Sequence, residues 1–115
     1  MLKKESRLRR KEEVDAVFRR GTVISAEDFI LKFSPNGLPQ TRVAVLVGKK
    51  VSNKANQRNR IRRRLREVVR LHFEKLPTGY DLLIIVKNLK LRETAFPEIT
   101  KKFLTILTRW INKKS

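Results

Sequence analysis

The sequence contains no cysteine. That absence excludes disulfides, thiol catalysis and cysteine-ligated zinc, and it suits a reducing cytoplasm, the expected location. Histidine occurs once, as His72. It falls on the apolar stripe of a predicted helix, so it reads as a buried or rim side chain rather than a general base. Acidic residues are scarce, 11 against 29 Lys and Arg, and no pair of carboxylates has a spacing that would define a metal site. No apolar run reaches the roughly 18–20 residues of a membrane span. Nor does an apolar stretch follow Met1-Leu2-Lys3-Lys4-Glu5, so a signal peptide is not expected. There is no internal repeat.

Positive charge is what the chain has in excess. The formal net charge is +18 over 115 residues, with a pI near 11.3. Self-repulsion on that scale is tolerable when a polyanion supplies the counter-charge. Hydrophobic residues make up 40%, enough for a folded core rather than a disordered basic tail. The length fits one domain spanning 1–115.

The charge concentrates between Lys54 and Arg70. Ile61, Leu65, Val68, Val69 and His72 recur at the spacing of one helical face. At about 100° per residue, Asn59, Arg63, Arg66 and Arg70 line the opposite side, flanked by Arg62 on one side and by Arg60 and Arg64 on the other. A solvated helix surface usually alternates charge sign. Here Arg58, Arg60, Arg62, Arg63, Arg64 and Arg66 precede the first acid, Glu67. Such a face costs stability unless an anion neutralises it, and the planar guanidinium suits phosphate. The pattern predicts a polyanion-binding helix.

Along the rest of the chain, residues 1–10 form a basic arm, and Lys3, Lys4, Lys113 and Lys114 read as steering charge. A helix is predicted over Lys11–Arg20, with Gly21 as its stop. Strands follow at Thr22–Ser25, at Phe29–Ser34 with one apolar face, and at Arg42–Gly48 with two, the last expected to be central in a sheet. Pro35-Asn36-Gly37 and Pro77-Thr78-Gly79 mark turns. The arginine helix is expected over Ala55–Glu74, a further strand over Tyr80–Val86, and a final helix over Phe96–Asn112. Phe73, Phe96, Phe103 and Trp110 read as core. The order αββ(β)αβα predicts an α/β (α+β) two-layer sandwich on a mixed sheet of about four strands, with Arg42–Gly48 and Tyr80–Val86 parallel.

Lys54-Ala55-x-x-Arg58-Asn59-Arg60-Ile61-Arg62-Arg63-x-x-Arg66-Glu67 resembles the signature of the bacterial ribonuclease P protein component. Arg42-Val43-Ala44-Val45-x-Val47-x-Lys49-Lys50 is similar to that family's strand and twin-lysine segment. Leu8-x-x-x-Glu12-x-x-x-x-Val17-Phe18-x-x-Gly21, Phe29-Ile30-Leu31 and Tyr80-Asp81-Leu82-Leu83-Ile84-Ile85 resemble its first helix, first long strand and last strand. The resemblance covers nearly the whole chain. It implies a left-handed βαβ crossover, against the usual preference. It also implies a large catalytic RNA as partner. In that holoenzyme RNA-held Mg2+ cleaves the 5′ leader from precursor tRNA, and the protein alone is inactive. Lys49, Lys50, Lys54, Arg58, Asn59, Arg60, Arg62, Arg63 and Arg66 are then the candidate contacts to the catalytic RNA, Asn59 with bracing the preceding loop as its other reading. Phe18, Phe29 and Phe33 are candidates for a cleft that stacks the unpaired leader, although phase and alternation alone would place these three in the core. Two departures from the family pattern are Val14, where a phenylalanine is common, and Lys11, where a capping residue is common. The alternatives are a ribosomal or ribosome-assembly RNA-binding protein, separated by precursor tRNA cleavage, and a DNA-binding module, which would need base-reading side chains.

Overall fold

A computed structural model describes residues 3–114, with the side chain of Lys114 excepted; Met1, Leu2 and the steering charge expected of Lys114 lie outside the described residues. Helix α1 spans Lys11–Arg20. No side chain caps its start, as Lys11 and its neighbours forewarn, but Glu12 and Glu13 in the first turn oppose the helix dipole. Gly21 follows with φ −67°, so it is not a left-handed cap. The reason for glycine is proximity, since an added Cβ would lie 2.6 Å from the Val17 carbonyl oxygen and 3.2 Å from the backbone of Phe33.

Strands β1 (Thr22–Ser25), β2 (Phe29–Pro35), β3 (Arg42–Leu46) and β4 (Tyr80–Val86) make one mixed sheet in the order β1-β2-β4-β3. β1 and β4 run antiparallel to β2, and β3 runs parallel to β4. β3 therefore lies at an edge rather than in the centre. Its two apolar faces have another cause, because the sheet is covered on both sides at that end. Val43 and Val45 are buried in the main core, while Ala44 and Leu46 pack against the cluster of Leu8, Val17 and Leu83.

Helices α2 (Ala55–Leu71) and α3 (Phe96–Lys114) cover one face of the sheet. Ile61, Leu65, Val68 and Val69 of α2 and Ile99, Phe103, Ile106, Leu107 and Trp110 of α3 pack there on Phe29, Leu31, Phe33, Leu82 and Ile84. These helices and the sheet form the two expected layers. On the other face, α1 adds a partial third layer through Val14 and Val17. The helix α2 ends before the expected Glu74: His72 caps it, with Nδ1 2.8 Å from the Val68 carbonyl oxygen, and a 3-10 turn takes up Phe73–Lys75.

The basic arm is partly ordered onto the sheet. After a 3-10 turn at Lys4–Ser6, Arg7 bridges Val43 in parallel register, and the Leu8 amide donates to the Val43 carbonyl at 2.9 Å. Leu8 is buried, which explains why this short segment holds its place.

Candidate nucleic-acid interface

The start of α2 is built from the loop before it. Ser52 is buried; its hydroxyl accepts from the Lys54 amide at 3.1 Å and bonds the Gln57 side chain at 2.6 Å. Arg58 donates to the Ser52 carbonyl at 2.9 Å, which ties the first arginine to this brace. Asn59 accepts from Arg62 at 2.6 Å, so it orients a neighbouring guanidinium and does not brace the loop. Arg60, Arg63 and Arg66 are exposed, as are Lys49, Lys50 and Lys54; Arg58 and Arg62 are half-buried. Among the described residues none of these cations lies within ion-pair distance of a carboxylate.

The crowding has an electrostatic signature. Burial, then the charges of Arg58 and Arg66, push the Arg62 guanidinium below its ordinary pKa. Arginine does not lose its proton under such pressure, so the repulsion remains as a standing cost that an anion would relieve. Asn56, Asn59, Arg62, Arg63 and Arg66 line an open groove of about 750 Å³ on this side of the helix. Arg64 is different. It donates to the carbonyls of Leu91, Arg92 and Thr94 and so fastens the connector before α3. That role leaves no trace in helical periodicity.

A second surface lies on the opposite face of the sheet. Phe18 near the end of α1 is 48% exposed. The ammonium of Lys32 in β2 sits 4.0 Å from its ring centroid and donates to the Phe18 carbonyl at 2.7 Å. Val23, which pairs with Lys32 across the β1–β2 ladder, is also exposed. Phe29 and Phe33 do not join them. They are 0% and 5% exposed and point the other way, into the main core, where Phe33 packs on Trp110 with centroids 4.9 Å apart. Neither offers a free ring face, so the assignment of these two to a stacking cleft is corrected. The alternation of β2 carried part of the signal: if Phe29, Leu31 and Phe33 share the buried side, Lys32 must point to the other face, and packing places Phe18 over that face. Val14 packs against the smaller core and also lines a groove beside Ala44 and Leu46.

Among the described residues no three His, Asp or Glu side chains converge as a metal site. The helix and the sheet face together define an α+β protein that presents an arginine-rich surface and, separately, an exposed aromatic one. A family model described as Ribonuclease P matches residues 2–110. The chain is 35% identical over 108 residues to the ribonuclease P protein component of Roseiflexus castenholzii, covering 94% of this chain and 88% of that one. It is 35% identical over 111 residues to that of Finegoldia magna, covering 96% of each. The solved ribonuclease P protein from Thermotoga maritima superposes with a TM-score of 0.80 at 30% identity, covering 90% of this chain and 96% of that one. The Staphylococcus aureus protein, at 19% identity and a TM-score of 0.77, shares the fold. The chain belongs to the ribonuclease P protein family, the protein subunits of a ribonucleoprotein endoribonuclease.

Proposed function

We propose that α2 holds the catalytic RNA of ribonuclease P while the surface around Phe18 and Lys32 holds the unpaired 5′ leader of precursor tRNA, so that the protein assists magnesium-dependent 5′ maturation of tRNA. The observation that carries this reading is the row of arginines from Arg58 to Arg66 with no carboxylate partner among the described residues. Phosphates of a folded RNA are the counter-charge such a face requires. The exposed ring of Phe18 suits a base that is free to stack, which a duplex does not supply. In this reading the magnesium is held mainly by the RNA, and the cytoplasm is its setting. No step of the chemistry is assigned to a protein side chain.

The test is direct. The purified chain is added to a bacterial ribonuclease P RNA, and precursor tRNA cleavage is followed at low magnesium. Stimulation above the RNA alone is expected, with no cleavage by the protein by itself. Robust metal-dependent cleavage by RNA-free protein would overturn the reading, as would a failure to stimulate.

A further inference from the structure

Helix α1 lies alone on its face of the sheet, on a small core to which it contributes only Val14 and Val17. Two short side chains specify weakly the angle at which a helix crosses a sheet, because a unique arrangement needs closer shape complementarity than they offer. Polar ties at the two ends of α1 therefore carry more of that task. At the C-terminal end, the Lys32 ammonium donates to the Phe18 carbonyl and Gly21 abuts the backbone of Phe33. At the N-terminal end no side chain caps the helix, and the tie comes from the sheet.

That tie is Arg42, the first residue of β3. Its Nε and Nη2 each donate to the Asp81 carboxylate at 2.8 Å, and its Nη1 donates to Glu13 Oε2 at 3.0 Å. Asp81 is buried, stands opposite Arg42 in the β3–β4 ladder, and also accepts from Asn36 Nδ2 at 3.0 Å. Two parallel bonds fix the plane of the guanidinium to the sheet. The third nitrogen then reaches the first turn of the helix. Among the described residues, Glu13 is the only carboxylate of α1 in an ion pair; Glu12 and Asp15 have none. The Glu13 side chain is 32% exposed, so the pair adds little stability. What it does supply is a fixed point. Glu13 and Phe18 are separated by about 7.5 Å along the helix axis, at 1.5 Å per residue, and a helix that short moves as one body.

We infer that Arg42 is a positioning residue. Locked to the sheet by Asp81, it holds the first turn of α1 through Glu13 and so sets how the helix presents the ring of Phe18 over the sheet face. The inference rests on the proposed function for what Phe18 meets, and not for the clamp itself.

The chain has no cysteine, so a pair of spin labels can be introduced cleanly, at Lys11→Cys in α1 and Thr108→Cys on the outer side of α3. Their separation is measured in the free protein carrying Glu13→Gln, Arg42→Lys or Glu12→Gln. Arg42→Lys keeps the charge but loses the fork that spans both carboxylates. Glu12→Gln makes the same charge change in the same turn, and so controls for the helix dipole and for attraction to RNA. Glu13→Gln and Arg42→Lys should shift or broaden the distance, and Glu12→Gln should not. A distribution unchanged by Glu13→Gln would overturn the clamp. Unlabelled Glu13→Gln and Glu12→Gln are then assembled with a bacterial ribonuclease P RNA, and affinities for precursor and mature tRNA are compared. Glu13→Gln should melt close to Glu12→Gln. It should lower the preference for precursor several-fold, by no more than the roughly ten-fold expected of Phe18→Ala. In a chain already carrying Phe18→Ala it should lower that preference no further. Additive losses would mean that Glu13 does not act through Phe18, which would overturn the positioning role. A wild-type holoenzyme that does not distinguish precursor from mature tRNA would instead overturn the proposed leader surface, while the label distances still decide the clamp.

Discussion

Phe18 and Phe33 carry the same ring and differ in what truncation should cost. Phe18 is half exposed and touched by Lys32; Phe33 is enclosed by Tyr80 and Trp110. Stacking on one base contributes about 1–3 kcal/mol. Phe18→Ala should therefore weaken binding of leader-bearing precursor by roughly ten-fold or more, with mature tRNA and the melting temperature little changed. Phe33→Ala should lower stability by about 3–5 kcal/mol, the usual range for a buried phenylalanine. Calorimetry on both variants, with paired affinity measurements for precursor and mature tRNA, checks the assignment. A strongly lowered melting temperature for Phe18→Ala, with both tRNAs affected alike, would make Phe18 structural.

The elements were largely legible in the sequence. Period and turn residues give α1, β1 and β4 their observed limits, and the apolar stripe of α2 is the one that is buried. What escaped is long-range. A run apolar on both faces says that a strand is covered, not that it is flanked by strands, so β3 was placed at the centre and lies at the edge. The phase of β2 separated Lys32 from the phenylalanines, but which phase faces α1 is settled only by packing. The work of Arg64 depends on carbonyls 27 to 30 residues away. These differences lead to opposite predictions along one helix. Arg63→Ala and Arg66→Ala should each weaken RNA binding and flatten its salt dependence by about 1. Arg64→Met should leave that slope nearly intact and lower thermal stability, because three backbone carbonyls lose their donor. Salt titrations and melts of the three variants distinguish them, and a changed slope for Arg64→Met alone would reverse the assignment.

At the scale of the whole molecule, a buried carboxylate joins the start of β2 to the far end of the chain. Asp28 is 1% exposed; it accepts from Lys102 at 2.6 Å and from Asn88 at 3.1 Å. Burial opposes its ionisation, but the bonds from Lys102 and Asn88, with the charge of Lys102, prevail and hold its pKa below the ordinary 3.8. A carboxyl more acidic in the folded state than in the unfolded one contributes stability that is complete above the ordinary value and is lost as pH falls through the folded one. Asp28→Asn should therefore melt lower than wild type at neutral pH, and the gap should close below about pH 4. Melting curves over that range test this. A gap independent of pH would mean that the pair acts by packing alone.

Strand order also sets an order in time. β4 is the only strand that pairs with both β2 and β3, and it is the last of the four in the chain. During synthesis the β1–β2 hairpin can close early, but β3 has no strand beside it and α2 no finished sheet beneath it until Tyr80–Val86 is made. The sheet beneath the arginine face is complete only when β4 lies between its neighbours. A chain ending at Gly79 contains every arginine of α2, yet it should show no cooperative melt and only weak, nonspecific binding to RNA. On the proposed function, the helix that would hold RNA packs on a strand that carries, in its seven residues, no positive charge at all.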